Sequence, residues 1–61
     1  MNRLREWRQK RKMTQQDLAS KLGVSRAAVT KWETGVAQPR TELLPRLASI
    51  LRCKIDALFF A

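Results

Sequence analysis

The stretch of residues 14–33 constrains the fold most, because it carries two sets of helix-start signals with a glycine between them. Thr14 followed by Asp17 is the pattern of a capping box, in which a hydroxyl and a carboxylate satisfy backbone amides where a helix begins. Ser25 suits the N-cap of a second helix. Gly23 suits the left-handed residue that ends the first one. The sequence therefore predicts two short helices joined by a tight turn, and so short a break makes them cross steeply.

The second of these helices is predicted to have one apolar face and one polar face. Ala28, Val29 and Trp32 fall on the same side by the helical period and should point inward. The opposite side carries Arg26, Ala27, Thr30, Lys31 and Thr34. Arginine and lysine donate to guanine, an alanine methyl packs on the thymine methyl, and threonine can do either. We interpret this face as a reader of double-stranded DNA in the major groove, with base contacts from Arg26, Ala27, Thr30 and Lys31.

Length and charge bound the function further. The 61 residues allow one domain, which we place at residues 1–61, and the net charge of +8 favours a polyanion as partner. There is no histidine, so a histidine base or ligand is excluded. No catalytic constellation is evident, and we expect no enzyme activity, no metal, no cofactor and no small-molecule substrate.

The single cysteine, Cys53, allows neither an internal disulfide nor a zinc site. Its best interpretation is a small apolar core residue in a chain that resides in a reducing cytoplasm. No run of about 18 apolar residues is present, so no membrane partner is predicted.

The first helix is predicted over residues 2–12, where six of the eleven residues are lysine or arginine. Leu4 and Trp7 should face inward. A cationic surface of this kind is either simply solvated or in contact with DNA phosphates, and Arg11 is the candidate for such a contact.

The C-terminal part is predicted to add two more helices. A fourth helix should run from Thr41 to about Leu51, with a distorted first turn or a late start because Pro45 lacks an amide. Residues 55–59 should form a short fifth helix that completes the core with Ile55 and Leu58. Two interpretations stay open for the apolar end formed by Leu58, Phe59 and Phe60. It is either a homodimer surface about a two-fold axis, or a second layer of core or a frayed end.

A wider set of residues, spread over nearly the whole chain, forms one pattern: Leu4, Arg5, Arg8, Thr14, Gln15, Leu18, Ala19, Leu22, Gly23, Val24, Ser25, Val29, Trp32, Glu33, Gly35, Pro39, Leu47 and Ala48. With these residues the chain resembles the XRE family of helix-turn-helix DNA-binding domains, which includes the phage lambda and 434 repressors and Cro. The resemblance implies an all-α, five-helix lambda-repressor-like domain. Arg52 departs from the family pattern, because a glycine usually stands there.

The resemblance also implies functions for particular residues. Arg8 and Glu33 would form a structural ion pair. Gln15 would brace the first side chain of the recognition helix, which is the helix that follows Ser25. Contacts to the DNA backbone would come from Gln15, Ser25, Arg11, Arg40 and the loop of Thr34, Gly35 and Val36, whose free amides would hold a phosphate. The implied function is a transcriptional regulator, in particular a repressor that binds a near-palindromic operator as a homodimer.

Three other functions remain open from the sequence. The chain could be a DNA-binding antitoxin of a toxin–antitoxin pair, a basic RNA-associated protein, or a cationic membrane-active peptide. The repeated helix-start signals favour a domain that folds in water and exposes one helix to DNA.

Overall fold

A computed structural model describes residues 3–59 of the chain, in which four α-helices and two short 3-10 helices occur and no strand is present. The α-helices are α1 (Leu4–Lys10), α2 (Gln15–Leu22), α3 (Arg26–Thr34) and α4 (Leu44–Leu51). The 3-10 helices are Thr41–Leu43, directly before α4, and Ile55–Leu58, at the C-terminal end. The all-α prediction is confirmed. The count of five helices is not, because the last element is a 3-10 helix of four residues.

The signals between α1 and α3 act as the sequence predicts. The Thr14 hydroxyl accepts a hydrogen bond from the Asp17 amide at 3.0 Å, and the Asp17 carboxylate accepts one from the Thr14 amide at 2.9 Å. The Ser25 hydroxyl accepts from the amide of Ala28 at 3.2 Å. Gly23 ends α2 with a left-handed φ of 73°. These local contacts fix the ends of α2 and α3 and therefore the turn between them.

The core collects apolar side chains from all four α-helices and from the second 3-10 helix. Its buried members are Leu4, Leu18, Ala19, Leu22, Val29, Trp32, Leu47, Ala48, Leu51 and Leu58. Because α3 contributes its inner side to this core, its outer side is left to solvent.

The first and last described elements are bonded to each other. The Arg3 amide donates to the Leu58 carbonyl at 3.2 Å, and the Trp7 indole donates to the Ala57 carbonyl at 3.1 Å. The Lys10 ammonium also lies 4.9 Å from the centre of the Trp7 ring, a favourable cation–π distance. The two hydrogen bonds hold the start of the chain and α1 against the C-terminal 3-10 helix.

Two helices are shorter than the sequence prediction. The first was expected over residues 2–12, but α1 ends at Lys10, and Lys12 adopts a left-handed φ of 56°. The fourth was expected from Thr41, but α4 begins at Leu44 with Pro45 in its first turn. Proline is tolerated there because the first helical amides have no partner within the helix. The late start of α4 is one of the two outcomes that Pro45 predicted.

The C-terminal segment corrects two predictions. Leu58 is completely buried, so it belongs to the core and offers nothing to a homodimer surface. Ile55, expected in the core, is 37% exposed. Phe59 is half-buried and packs against the core, and Phe60 lies outside the described residues.

Arg52 ends α4 in the left-handed region, with φ 56° and ψ 48°. Its amide donates to the Ser49 carbonyl at 3.2 Å, and the Cys53 amide donates to the Ala48 carbonyl at 3.0 Å. A residue with a Cβ atom pays about 1–2 kcal/mol for this conformation, whereas glycine adopts it freely. The turn therefore keeps the geometry of a glycine C-cap without the glycine.

We expect Arg52→Gly to stabilise the chain by about 0.5–1 kcal/mol, because the relief of backbone strain exceeds the added entropy of the unfolded state. Urea unfolding followed by circular dichroism measures this change. Arg52→Ala is the control, since it removes the same charge but keeps Cβ and should give no gain. Equal stability of the two variants would contradict the interpretation that the backbone at Arg52 is strained.

Candidate nucleic-acid interface

The outer side of α3 is open to solvent over its whole length. Arg26, Ala27, Thr30, Lys31 and Thr34 are all exposed. The inner side is anchored, with Val29 completely buried and Trp32 only 5% exposed. The structure therefore brings the four base-reading candidates together on one accessible helical surface.

A buried ion pair fixes α3 against α1. The Arg8 Nε atom lies 2.6 Å from Glu33 Oε2, and Arg8 Nη2 donates to Glu33 Oε1 at 3.3 Å. Arg8 Nη1 also donates to the Met13 carbonyl at 2.8 Å, so the guanidinium is hydrogen-bonded on several sides. Arg8 is 8% exposed, and the Glu33 side chain is 4% exposed. The pair lies where the family resemblance placed one.

The Glu33 carboxyl group stays ionised despite this burial. Desolvation by itself would raise its pKa. Hydrogen bonds from Arg8 and Gln15, together with the charges of Arg8 and Arg5, outweigh desolvation, and the pKa of Glu33 lies below its ordinary value of 4.5. Glu33 is therefore an obligate hydrogen-bond acceptor near neutral pH.

Gln15 connects the start of α2 to the middle of α3. Its Nε2 atom donates to Glu33 Oε1 at 3.1 Å, and its Oε1 atom accepts from the Thr30 hydroxyl at 2.8 Å. The family resemblance implied that Gln15 would brace Arg26, the first side chain of α3. The structure places the brace one turn later, on Thr30.

Arg5 is a candidate that the sequence analysis did not assign to DNA. Its Nε atom lies 3.9 Å from Glu33 Oε1, the same oxygen that Gln15 contacts, and its side chain is 70% exposed. Arg5 precedes Arg8 by three residues, which puts the two on one face of α1. That spacing was available in the sequence and could have identified it.

Arg11, expected to contact a phosphate, has a structural function that the sequence did not predict. Its Nε atom donates to the Leu51 carbonyl at 2.7 Å, and its Nη2 atom donates to the Arg52 carbonyl at 3.1 Å. The last carbonyls of a helix have no partner within that helix, and a guanidinium satisfies them well. Arg11 therefore caps α4 through its Nε and Nη2 atoms, and a phosphate contact from Nη1 stays a prediction.

The backbone amides after α3 are already in use. The Gly35 amide donates to the Trp32 carbonyl at 3.4 Å, and the amides of Val36 and Ala37 donate to the Lys31 carbonyl at 3.0 Å and 3.2 Å. These bonds end the helix around Gly35, whose φ is 83°. The expectation that free amides of this loop hold a phosphate is therefore wrong for Gly35 and Val36.

The side chains around this loop keep different capacities. The Thr34 hydroxyl lies 3.0 Å from the Thr30 carbonyl and 3.3 Å from the Lys31 carbonyl, so its proton is directed into the helix. Arg40 is exposed, and the Val36 side chain is 74% exposed. A phosphate, which offers only acceptors, therefore suits Arg40 better than Thr34.

Other kinds of site receive no support from the described part of the chain. Within residues 3–59, acidic side chains and Cys53 form no group of three that could hold a metal ion. None of the helices in this range has the length and apolar character to cross a bilayer. Burial raises the pKa of the Cys53 thiol, which keeps it in the less reactive protonated form.

We expect Arg8→Ala to lower the free energy of unfolding by about 3–5 kcal/mol, because it leaves Glu33 buried without its ionic partner. Arg5→Ala is the matched control. This substitution removes the exposed arginine beside the same Glu33 carboxylate, and it should change the free energy of unfolding by about 0.5 kcal/mol or less. Denaturant unfolding measures both, and equal losses would contradict the assignment of the pair to Arg8.

We also expect the chain to lose stability in acid. The pKa of Glu33 is lower in the folded chain than in the unfolded one, so its contribution is present above the ordinary value of 4.5 and is lost as the pH falls through the folded value. Thermal unfolding, followed from neutral pH to pH values well below 4.5, measures this loss of stability. Glu33→Gln should show a shallower acid decline, and an unchanged decline would contradict it.

Comparison with known proteins identifies the family. The family model described as helix-turn-helix matches residues 4–58. The HTH-type transcriptional regulator YqaE of Bacillus subtilis is 38% identical over 55 residues, which are 90% of this chain and 47% of that protein. An HTH-type transcriptional regulator of Archaeoglobus fulgidus is 39% identical over 57 residues, which are 93% of this chain and 81% of that protein.

The HTH-type transcriptional activator BcrR of Enterococcus faecalis is 38% identical over 56 residues, which are 92% of this chain and 28% of the activator. This chain thus spans about half the length of the Bacillus regulator and a smaller part of the Enterococcus activator. With a match over nearly all the described residues and with the helix geometry above, the chain belongs to the XRE family of helix-turn-helix domains.

Proposed function

We propose that this chain binds double-stranded DNA and regulates transcription, with the outer side of α3 in the major groove. The observation that supports this most is the presentation of α3. Its inner side is buried and its last turn is tied to α1 by an ion pair, while Arg26 and Lys31 stand exposed on the other side. A guanidinium or an ammonium in that position donates to guanine O6 and N7, and the methyl of Ala27 packs on a thymine methyl.

Phosphate contacts supply affinity and set the position of α3. The net charge of +8 favours release of counterions from DNA. Beside α3, Gln15 uses one amide hydrogen on Glu33 and keeps the other for a phosphate oxygen. The Ser25 hydroxyl accepts a hydrogen bond from Ala28 and keeps its proton for the same purpose. The exposed side chains of Arg5 and Arg40 add charge at the two flanks.

The operator that we propose is a near-palindrome, read by a homodimer with half-sites about 34 Å apart. Since Leu58 is in the core, the dimer surface that we propose at the C-terminal end uses Phe59, Phe60 and the exposed Ile55. Repression by occupying a promoter needs only this binding, in the cytoplasm of a bacterial or phage-infected cell. The Enterococcus relative is named an activator, so we attach the sign of regulation to the promoter rather than to the family.

Selection of bound sites from random duplex DNA tests the proposal. The expected result is one half-site sequence in a near-palindrome, with an affinity that falls steeply as salt rises. A duplex RNA library serves as the second arm. Enrichment of RNA, or binding to all DNA sequences alike, would overturn the proposal.

We expect Arg26→Ala to relax the base preference at one position of each half-site, at a cost of about 1–3 kcal/mol on the preferred sequence. Arg5→Ala, which removes a proposed phosphate contact, should instead weaken binding to all sequences alike and lower the salt slope by about one unit. Electrophoretic or fluorescence titrations at several salt concentrations measure both changes.

Lys21→Ala is the control for these variants, because Lys21 is an exposed cation in the last turn of α2, where its carbonyl accepts a hydrogen bond from Arg46 of α4. It should leave the base preference unchanged. If Arg26→Ala reduced the affinity for every sequence equally, as a simple loss of charge would, the base-reading assignment would fail.

A further inference from the structure

The Thr30 hydroxyl lies between two acceptors of its own chain. Its Oγ1 atom is 2.8 Å from Gln15 Oε1 and 3.2 Å from the Arg26 carbonyl oxygen. A hydroxyl has one proton and two lone pairs. Whichever of the two acceptors receives the proton, none is left for a ligand outside the protein.

The orientation of the Gln15 amide follows from its other partner. Glu33 is ionised and accepts only, so it requires the NH2 group of Gln15, which lies 3.1 Å from Oε1. The reversed amide would place its oxygen against the carboxylate. The amide oxygen of Gln15 must therefore face Thr30, and the Thr30 hydroxyl must be the donor between them. The buried ion pair of Arg8 and Glu33 thus sets the polarity of an exposed side chain on α3.

We propose that Thr30 presents only lone pairs to DNA, and that it recognises an exocyclic amino group, N6 of adenine or N4 of cytosine, in the major groove. This inference rests on the proposed binding of DNA through α3. In the major groove these amino groups are the only hydrogen-bond donors, whereas guanine O6, thymine O4 and the purine N7 atoms are acceptors. At the position that Thr30 contacts, the hydroxyl therefore favours a base with an amino group over a base with a keto group, because its lone pairs can accept only from a donor.

This polarity differs from the general capacity of threonine to contact a thymine methyl. It also complements the neighbouring side chains, since Arg26 and Lys31 are donors without acceptors. The exposed side of α3 thus contains cations that select acceptor atoms and a hydroxyl that selects a donor. Each half-site should then contain a base pair whose amino group is read by Thr30, apart from the pairs read by the two cations.

The first step of the test locates the base pair that depends on Thr30. Sites are selected from random duplex DNA with the natural chain and with Thr30→Val, which keeps the shape and the methyl group but lacks the hydroxyl. One position per half-site should lose its preference. Thr30→Ser keeps the hydroxyl and both internal acceptors, and it should retain that preference.

The second step deletes single functional groups of the DNA at that position. Purine in place of adenine, or 2-pyrimidinone in place of cytosine, removes the amino group. This deletion should weaken binding of the natural chain about fivefold, the usual contribution of one hydrogen bond, and should have no further effect on Thr30→Val. Removal of the keto oxygen on the opposite base should affect the two proteins equally.

Three results would overturn the inference while leaving DNA binding intact. The first is that removal of the keto oxygen abolishes the difference in affinity between the natural chain and Thr30→Val. The second is that replacement of thymine by uracil, which removes the methyl group, abolishes this difference. The third is that no position of the site depends on the Thr30 hydroxyl. Failure to select any DNA sequence would instead overturn the proposed function. The analogue measurements on the natural chain need no variant to fold, and thermal unfolding verifies that Thr30→Val and Thr30→Ser are folded.

Discussion

The ion pair between Arg8 and Glu33 is the interaction on which the orientation of α3 depends. Two buried charges are stable together only when their geometry is good and their remaining donors and acceptors are bonded. Here the Met13 carbonyl takes a further guanidinium hydrogen, and Gln15 donates to the carboxylate. α1, the segment before α2, the start of α2 and the end of α3 therefore meet at this ion pair. A rotation of α3 about its own axis would break the bonds that Glu33 accepts from Arg8 and Gln15 at once.

The bonds at the helix ends explain why the proposed interface is made mainly of side chains. The amides of Gly35 and Val36 are used in ending α3, and the Nε and Nη2 atoms of Arg11 are used in capping α4. What is left for a partner is the row of exposed side chains on α3, together with the amide of Gln15 and the hydroxyl of Ser25. The chemistry of a side chain changes with the sequence, whereas the amides and carbonyls of the backbone are the same at every residue. Sequence differences at these exposed positions therefore alter recognition without altering the fold.

Much of this arrangement was predictable because it is local. The capping box of Thr14 and Asp17, the cap at Ser25 and the left-handed Gly23 each depend on residues within one turn, and the structure confirms them. The inward and outward sides of α3 followed from the helical period. The Arg8–Glu33 pair spans 25 residues, and the resemblance to a family, rather than spacing, indicated it.

The failures have the opposite character. The capping of α4 by Arg11 was not predicted because nothing in the sequence reveals that the end of α4 lies within its reach, 40 residues away. Leu58 was correctly placed in the core, but it was also assigned to a possible dimer surface, because the depth of the core at the C-terminal end depends on tertiary packing. The interplay of Gln15 and Thr30 depends on a crossing angle between two helices, which capping signals do not specify. Contacts between distant segments are set by tertiary packing, and single-sequence patterns contain little information about it.

The bonds from Arg3 to Leu58 and from Trp7 to Ala57 join the two extremities of the described chain. These two bonds close the described chain across 55 and 50 residues. Unfolding that begins at either extremity therefore removes hydrogen bonds from the other extremity in the same event. For so short a chain, this closure favours all-or-none unfolding over gradual loss of structure.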